Sequence, residues 1–205
     1  MTVMEAPSKK NKRKKAPVVR QFPPKQGAWN YEAYTHLPDN GMRYEVIGGE
    51  LFMRPAPRTK HQIASAELQF ALTLFVKQHK LGRVLYAPID VRLPDLADPV
   101  QPDILFIRTD NLSIIKDQFI EGIPDLTVEI FSPGSKGYDS RKKFELYAQA
   151  GVKEYWMVDP DACTVEIYVL RGEAYALLGQ FTAADEAYSE VLNGFSVPVR
   201  EICAS

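Results

Sequence analysis

Cysteine is nearly absent from this 205-residue chain: Cys163 and Cys203 are the only two. They show no metal-ligand spacing, so the expectation is a reducing compartment and free thiols. Long apolar runs are missing as well. No stretch approaches the roughly 20 apolar residues that span a bilayer, and the charged N-terminus lacks the apolar segment of a secretory signal. A cytoplasmic location without a membrane partner follows as the expectation. An excess of one charge is also lacking. The formal net charge is −1, so no global field draws the chain toward nucleic acid. That balance hides a split. Lys9-Lys10-Asn11-Lys12-Arg13-Lys14-Lys15 is strongly basic, which leaves the remaining chain acidic. Internal repeats are absent too.

What is present suits one domain with a substantial core. Hydrophobic residues make up 45% and charged residues 25%, ordinary for a globular protein. Residues 1–27 combine the basic block with Pro17, Pro23, Pro24 and Gly27 and are expected to be a disordered basic tail. It would be a solubilising tail or, alternatively, a salt-sensitive arm on phosphates. Residues 28–205 are expected to form the single domain.

Asn30 is placed to cap a short helix that stops before Pro38-Asp39-Asn40-Gly41. Tyr44–Ile47 and Glu50–Met53 flank Gly48-Gly49, the pattern of a hairpin. A long helix is expected from about Thr59 to Lys80. Ile63, Phe70 and Leu74 beside Ala64, Leu68, Ala71 and Phe75 would form its apolar stripe, and Gly82 its stop. Val84–Tyr86, Ile89–Leu93, Ile104–Ile107, Leu126–Phe131 and Glu154–Val158 read as strands. Pro94 to Gln101 is expected to be a loop, and residues near Asn111 to Lys116 a short helix or turn. A helix from about Asp139 to Ala150, capped by Asp139 or Ser140, follows the break at Ser132-Pro133-Gly134. Thr164–Leu170 and Tyr175–Phe181 around Arg171-Gly172 form an antiparallel edge hairpin. The expected class is α/β or α+β: a mixed sheet flanked by helices, with an N-terminal hairpin and a C-terminal hairpin.

Within this frame one constellation stands out. Asp103, after Pro102, opens one apolar strand, and Glu129 lies near the end of another. A carboxylate in such a run is costly unless cations or hydrogen-bond donors meet it. If the two strands are neighbours, both acids reach one ion. Hard oxygen ligands suit Mg²⁺ or Mn²⁺, with water and substrate phosphate completing the shell. Lys142 and Lys143 begin the following helix, where positive charge is disfavoured. Helical spacing aligns Lys143 with Tyr147 and Lys142 with Leu146, so geometry alone leaves both open. Each residue also has a bland explanation: Asp103 a turn residue, Glu129 the partner of Lys153 or Arg141, the lysines a solvated helix face.

At these residues the chain resembles the Uma-type endonucleases, relatives of the PD-(D/E)XK, restriction-endonuclease-like superfamily. The matching segments are Arg43–Leu51, Gln101–Ile104, Pro124–Ile130 with Ser132-Pro133, Lys143–Tyr147, Gly151-Val152 and Glu154–Pro160; the likeness spans about Tyr31 to Pro198. It implies a hydrolase, a Mg²⁺-dependent (or Mn²⁺-dependent) endonuclease acting on DNA, with metal-binding Asp103 and Glu129 and the Ile130 carbonyl as an extra ligand. Glu45 matches the acid that helps hold metal-bound water; otherwise it is a hairpin residue facing solvent. The usual Glu-x-Lys would place lysine at 131, where Phe131 stands. The lysine is instead found on the next helix, where Lys143 matches better than Lys142. The catalytic set is thus Glu45, Asp103, Glu129 and Lys143. Asp90 either faces the same cleft or lies on an exposed strand face. His61, at a helix start, is expected to cap or pack and stays outside the set. A homodimer is compatible with such nucleases. The alternative is a catalytically silent nuclease-like fold acting as a nucleic-acid-binding or interaction module, and a small phosphate ester is a third substrate class.

Overall fold

The structure, a computed structural model, describes residues 22–54, 56–132 and 138–203. The basic block at 9–15, the break at Pro133-Gly134 and the capping side chains expected at Asp139 or Ser140 lie outside the described residues. Helix α1 (Tyr31–Tyr34) starts at Asn30, whose side chain accepts from the Ala33 amide. Strands β1 (Arg43–Ile47) and β2 (Glu50–Arg54) form the hairpin around Gly48-Gly49. Then come α2 (Thr59–His79), β3 (Gly82–Tyr86), β4 (Asp90–Leu93), β5 (Ala97–Val100) and β6 (Ile104–Arg108). A short 3-10 helix (Thr109–Ile114) leads to β7 (Phe119–Glu121) and β8 (Leu126–Ile130). Helix α3 (Tyr138–Ala150) precedes β9 (Glu154–Asp159), β10 (Thr164–Arg171) and β11 (Ala174–Thr182). The chain ends with β12 (Glu186–Tyr188), β13 (Ser196–Pro198) and α4 (Val199–Ile202).

Two sheets carry the fold. One runs β2-β1-β5-β4-β7, the other β11-β10-β9-β8-β6-β3, and β12 pairs with β13 alone. In the six-stranded sheet β8 and β9 are parallel, and β6 is antiparallel to β8. Its central strands are buried on both faces, which is why they read as continuous apolar runs. Ile104, Phe106, Leu126, Val128 and Trp156 meet Ala64, Leu68, Leu72 and Val76 of α2. Leu105, Ile107 and Tyr155 point the other way, toward Leu146, Tyr147 and Ala150 of α3 and toward the five-stranded sheet. Among the described residues no helix is long and apolar enough to cross a membrane.

Several expectations need correction. The expected mixed sheet flanked by helices is present, and a second, five-stranded sheet accompanies the six-stranded one. The stretch 94–101 is not a loop throughout, because β5 pairs there with β1 and β4. β7, β12, β13 and α4 were not foreseen; each is three or four residues long, too short for periodicity to register. The buried face of α2 is His61, Ala64, Leu68, Leu72 and Val76. Phe70 and Leu74, expected in the stripe, are 66% and 46% exposed. Lys80 takes the left-handed cap conformation at φ 56°, while Gly82 opens β3. A Cβ at Gly82 would lie 2.0 Å from the Ile107 carbonyl oxygen, so close strand pairing needs glycine there. Cys163 and Cys203 are joined in a disulfide, with Cα atoms 5.6 Å apart, not free. The packing of α4 beside the β9–β10 turn brings them together across a separation of 40 residues.

One buried acid is structural. Glu154 is fully enclosed. Its Oε1 accepts from Trp156 Nε1 at 2.7 Å, and its Oε2 from the Glu190 and Val191 amides at 2.8 and 2.9 Å. Glu154→Ala would strand three donors, each costing about 1–3 kcal/mol when left buried and unpaired. With partial relaxation the expected loss is about 2–3 kcal/mol, a fall of roughly 4–12 °C in a calorimetric midpoint for this size. An unchanged midpoint would show that residues 189–192 do not depend on this carboxylate.

Candidate active site

Strand pairing decides where the acids go. Ile104 lies opposite Val128, so continuation of the antiparallel ladder puts Asp103 opposite Glu129, on the same sheet face. That face is covered by α3. Lys143, Leu146, Tyr147 and Ala150 are its buried residues, at one helical stripe's spacing. Lys143 belongs to the stripe and is carried inward. Lys142, one step around the helix, is left half-buried, pairing with Glu50 Oε2 and lying 4.9 Å from the Phe52 ring centre. Burial separates the two lysines: the side chain of Lys143 is 2% exposed and that of Lys142 22%.

Lys143 Nζ donates to Glu129 Oε1 and Oε2 at 2.8 and 3.0 Å, and pairs with Glu45 Oε1 at 2.7 Å. Glu45 is therefore not a solvent-facing hairpin residue; it is 1% exposed. It also accepts from the Gln101 amide at 2.7 Å and faces Arg54 Nε at 3.0 Å. The Tyr147 hydroxyl donates to Glu129 Oε1 at 2.8 Å. Asp103 Oδ1 accepts from Arg43 Nη1 at 3.0 Å, while Oδ2 lies 3.2 Å from His61 Nε2 and accepts from the Ile130 amide at 2.9 Å. Lys153 and Arg141, the alternative partners considered for Glu129, pair with Asp125 and Glu145 instead. Asp90 is half-buried and accepts from Tyr34 and from Gln101 Nε2, whose Oε1 accepts from Arg43. It stands one residue removed from the acids.

Burial and charge pull these groups apart electrostatically. Burial pushes Glu129 up to about 6; Asp103 and Glu45 add to this and outweigh the lowering by Lys143. Burial also acts to raise Asp103, but His61, Arg43 and the Ile130 amide overcome it and hold the carboxyl well below the usual range. Glu45 falls below its ordinary value because Lys143, Arg54 and the Gln101 amide outweigh its desolvation. Lys143 is raised, since its two carboxylates exceed the effect of burial.

Among the described residues no group of three or more His, Cys, Asp or Glu is arranged to hold a metal, so any ion would rest on two carboxylates. A carboxylate offers about four acceptor positions. Asp103 uses three, with one left on Oδ1, and Glu129 uses three, with one left on Oε2. One acceptor position left on each of two carboxylates at facing strand positions fits the sparse protein shell that Mg²⁺ accepts alongside water and phosphate.

Sequence reasoning left Arg43, Gln101 and Tyr147 without a role. The signal was there for two of them: Arg43 shares Glu45's strand face by the two-residue period, and Tyr147 shares Lys143's by the four-residue one. For His61 the sequence supports a capping or packing role. It is buried and packed, and it also touches Asp103.

The family model described as Uma2, "Putative restriction endonuclease", matches residues 31–200. The chain belongs to the Uma2 family. An uncharacterized Synechocystis protein, slr1290, is 23% identical over 146 residues, covering 70% of this chain and 74% of that one. The crystal structure of a "putative nuclease belonging to DUF820" from Anabaena variabilis superposes with a TM-score of 0.70 at 19% identity. It covers 86% of this chain and 98% of its own. That likeness shows the fold, a nuclease-like one, and the Uma2 match covers every residue of the buried cluster.

Proposed function

We propose that this chain is a divalent-metal-dependent endonuclease hydrolysing DNA phosphodiester bonds, with Asp103, Glu129, Lys143 and Glu45 as its working residues. The observation that supports this best is that Asp103 and Glu129 face each other on one sheet face, with the buried Lys143 held against Glu129. Asp103, Glu129 and the Ile130 carbonyl would hold Mg²⁺ or Mn²⁺. When bound, such an ion supplies positive charge that polarises a phosphoryl oxygen and makes water more acidic.

The remaining chemistry belongs to the chain's own groups. Arg43 and the Ile130 amide fix the Asp103 carboxylate, and Tyr147 fixes Glu129, so neither rotates to meet substrate. Lys143 presents an ammonium beside Glu129 and Glu45, where it would offset negative charge that grows as the phosphate is attacked. Glu45, anchored by the Gln101 amide and Arg54, holds that ammonium in place. The low net charge of the chain leaves DNA affinity to local contacts.

The test is plasmid or oligonucleotide DNA incubated with purified protein and Mg²⁺ or Mn²⁺. Nicked or cut product is expected, and EDTA should abolish it. Cleavage that persists in EDTA overturns the proposal. Metal-independent DNA binding with no cleavage under any divalent ion favours the silent nuclease-like module instead.

A further inference from the structure

Helix α2 carries apolar residues on two opposite sides. Its buried row, Ala64, Leu68, Leu72 and Val76, packs on the six-stranded sheet. At 3.6 residues per turn, Phe70 and Leu74 point away from that row, and both are exposed. Ile63, two turns before Phe70 on the same outer line, is half-buried. A single exposed apolar residue needs no explanation. A helix apolar on both sides is the pattern of one covered on both, and among the described residues only the inner side of α2 is covered.

The charges along the outer side indicate what covers it. Ile63, Glu67, Phe70, Leu74 and Lys77 alternate steps of four and three residues, the spacing of a coiled-coil seam. Glu67 stands three residues before Phe70 and Lys77 three residues after Leu74, so opposite charges flank an apolar centre symmetrically. Let a second α2 run antiparallel, with the two-fold axis level with Leu72. Phe70 of each copy then meets Leu74 of the other, and Glu67 meets Lys77. Both charged residues are exposed, and among the described residues neither has an ion-pair partner. An anionic lipid surface or a nucleic acid would favour cations throughout, whereas an isologous contact requires a patch complementary to itself.

We infer that the outer face of α2 is the interface of a homodimer. A second copy of the chain packs its own α2 antiparallel across Phe70 and Leu74, with Glu67–Lys77 pairs at both ends. Dimerisation through α2 stands independently of the nuclease assignment, since it uses none of the buried acids. One helix pair is small beside the roughly 1,600 Å² of a standard interface, so the association is weak, in the micromolar range. The apolar centre supplies most of the affinity, and the flanking charges set the direction of the pair.

The test is sedimentation equilibrium of the full chain over about 5–200 µM, where a small interface associates. The mean mass should climb from that of one chain toward that of two. Phe70→Gln/Leu74→Gln installs good helix formers and should keep the melting temperature of the dilute chain. It should weaken the dimer on the order of tenfold or more, since each change counts twice by symmetry. Glu67→Lys or Lys77→Glu alone sets like charges together and should weaken it several-fold. Glu67→Lys/Lys77→Glu reverses both partners of each pair and should restore native association within about twofold. Glu173→Lys, in the turn between β10 and β11, should change nothing. A chain that stays single across the whole range overturns the inference and leaves the face to an unrelated partner. So does a dimer that survives Phe70→Gln/Leu74→Gln, one indifferent to the single reversals, or one that the double reversal fails to restore.

Discussion

Replacing Lys143 with methionine is expected to abolish cleavage and to destabilise the fold by about 3–5 kcal/mol, the usual cost of removing one partner from a buried ion pair. The stem is kept, so packing against Leu146 and Tyr147 changes little, and the loss reports the charge. Glu129 and Glu45 would then face each other across the vacated ammonium position with Arg54 as the nearer cation. The effect has a defined pH dependence. In the native chain Glu129 is raised to about 6, so folding takes up a proton there, and stability declines as pH rises from the ordinary carboxylate range through 6. Asp103 and Glu45 are lowered; their contribution is present above the ordinary carboxylate range and is lost as pH falls through their folded values. Without Lys143, Glu129 moves higher still. The variant's melting midpoint should therefore keep falling up to pH 8, whereas the decline of the native chain fades above about pH 7. Glu129→Gln added to Lys143→Met should recover much of the loss at pH 8 and little at pH 5. Parallel midpoints for native and Lys143→Met chains across that range would show that Lys143 does not neutralise these acids.

Asp103→Ala should lower the cleavage rate by at least about 10³-fold. Metal charge stabilisation is worth several kcal/mol, and each 1.36 kcal/mol is a factor of ten. Calorimetric titration with Mn²⁺ separates the causes. The native chain should bind one ion, and the variant should lose that binding while remaining folded by circular dichroism. Removing Asp103 also removes a negative neighbour that raises Glu129, so a shift of Glu129 back toward the ordinary carboxylate range should accompany the loss. Asp103→Asn, which can still accept from Arg43, tests charge apart from hydrogen bonding and should be nearly as inactive. Equal cleavage by native and variant preparations would point to a contaminant.

The fold was legible wherever an element was long enough to show its period. The hairpin at Gly48-Gly49, α2, α3 and the edge pair β10–β11 all lie within a residue or two of expectation. β5 was not legible because Asp98-Pro99 resembles a loop, yet its neighbours supply the ladder. The expected wide stripe of α2 holds Ala64 and Leu68, which are buried, but also Phe70 and Leu74, which are exposed. Packing extends the row from Ala64 and Leu68 to Leu72 and Val76, where small and branched residues let the helix approach the sheet. The acids Asp103 and Glu129 were visible because charge inside an apolar run demands a partner.

From the order of its residues alone this chain determined an α+β class, two carboxylates in or beside apolar strands and a helix with paired lysines, because periodicity and burial cost are local properties. Tertiary structure alone decided that Lys143 and not Lys142 enters the cluster, that Glu45 is buried with it, that His61 meets Asp103, and that two distant cysteines join. Those choices depend on helix rotation and on which strands become neighbours, and both are set by packing between elements far apart in the chain.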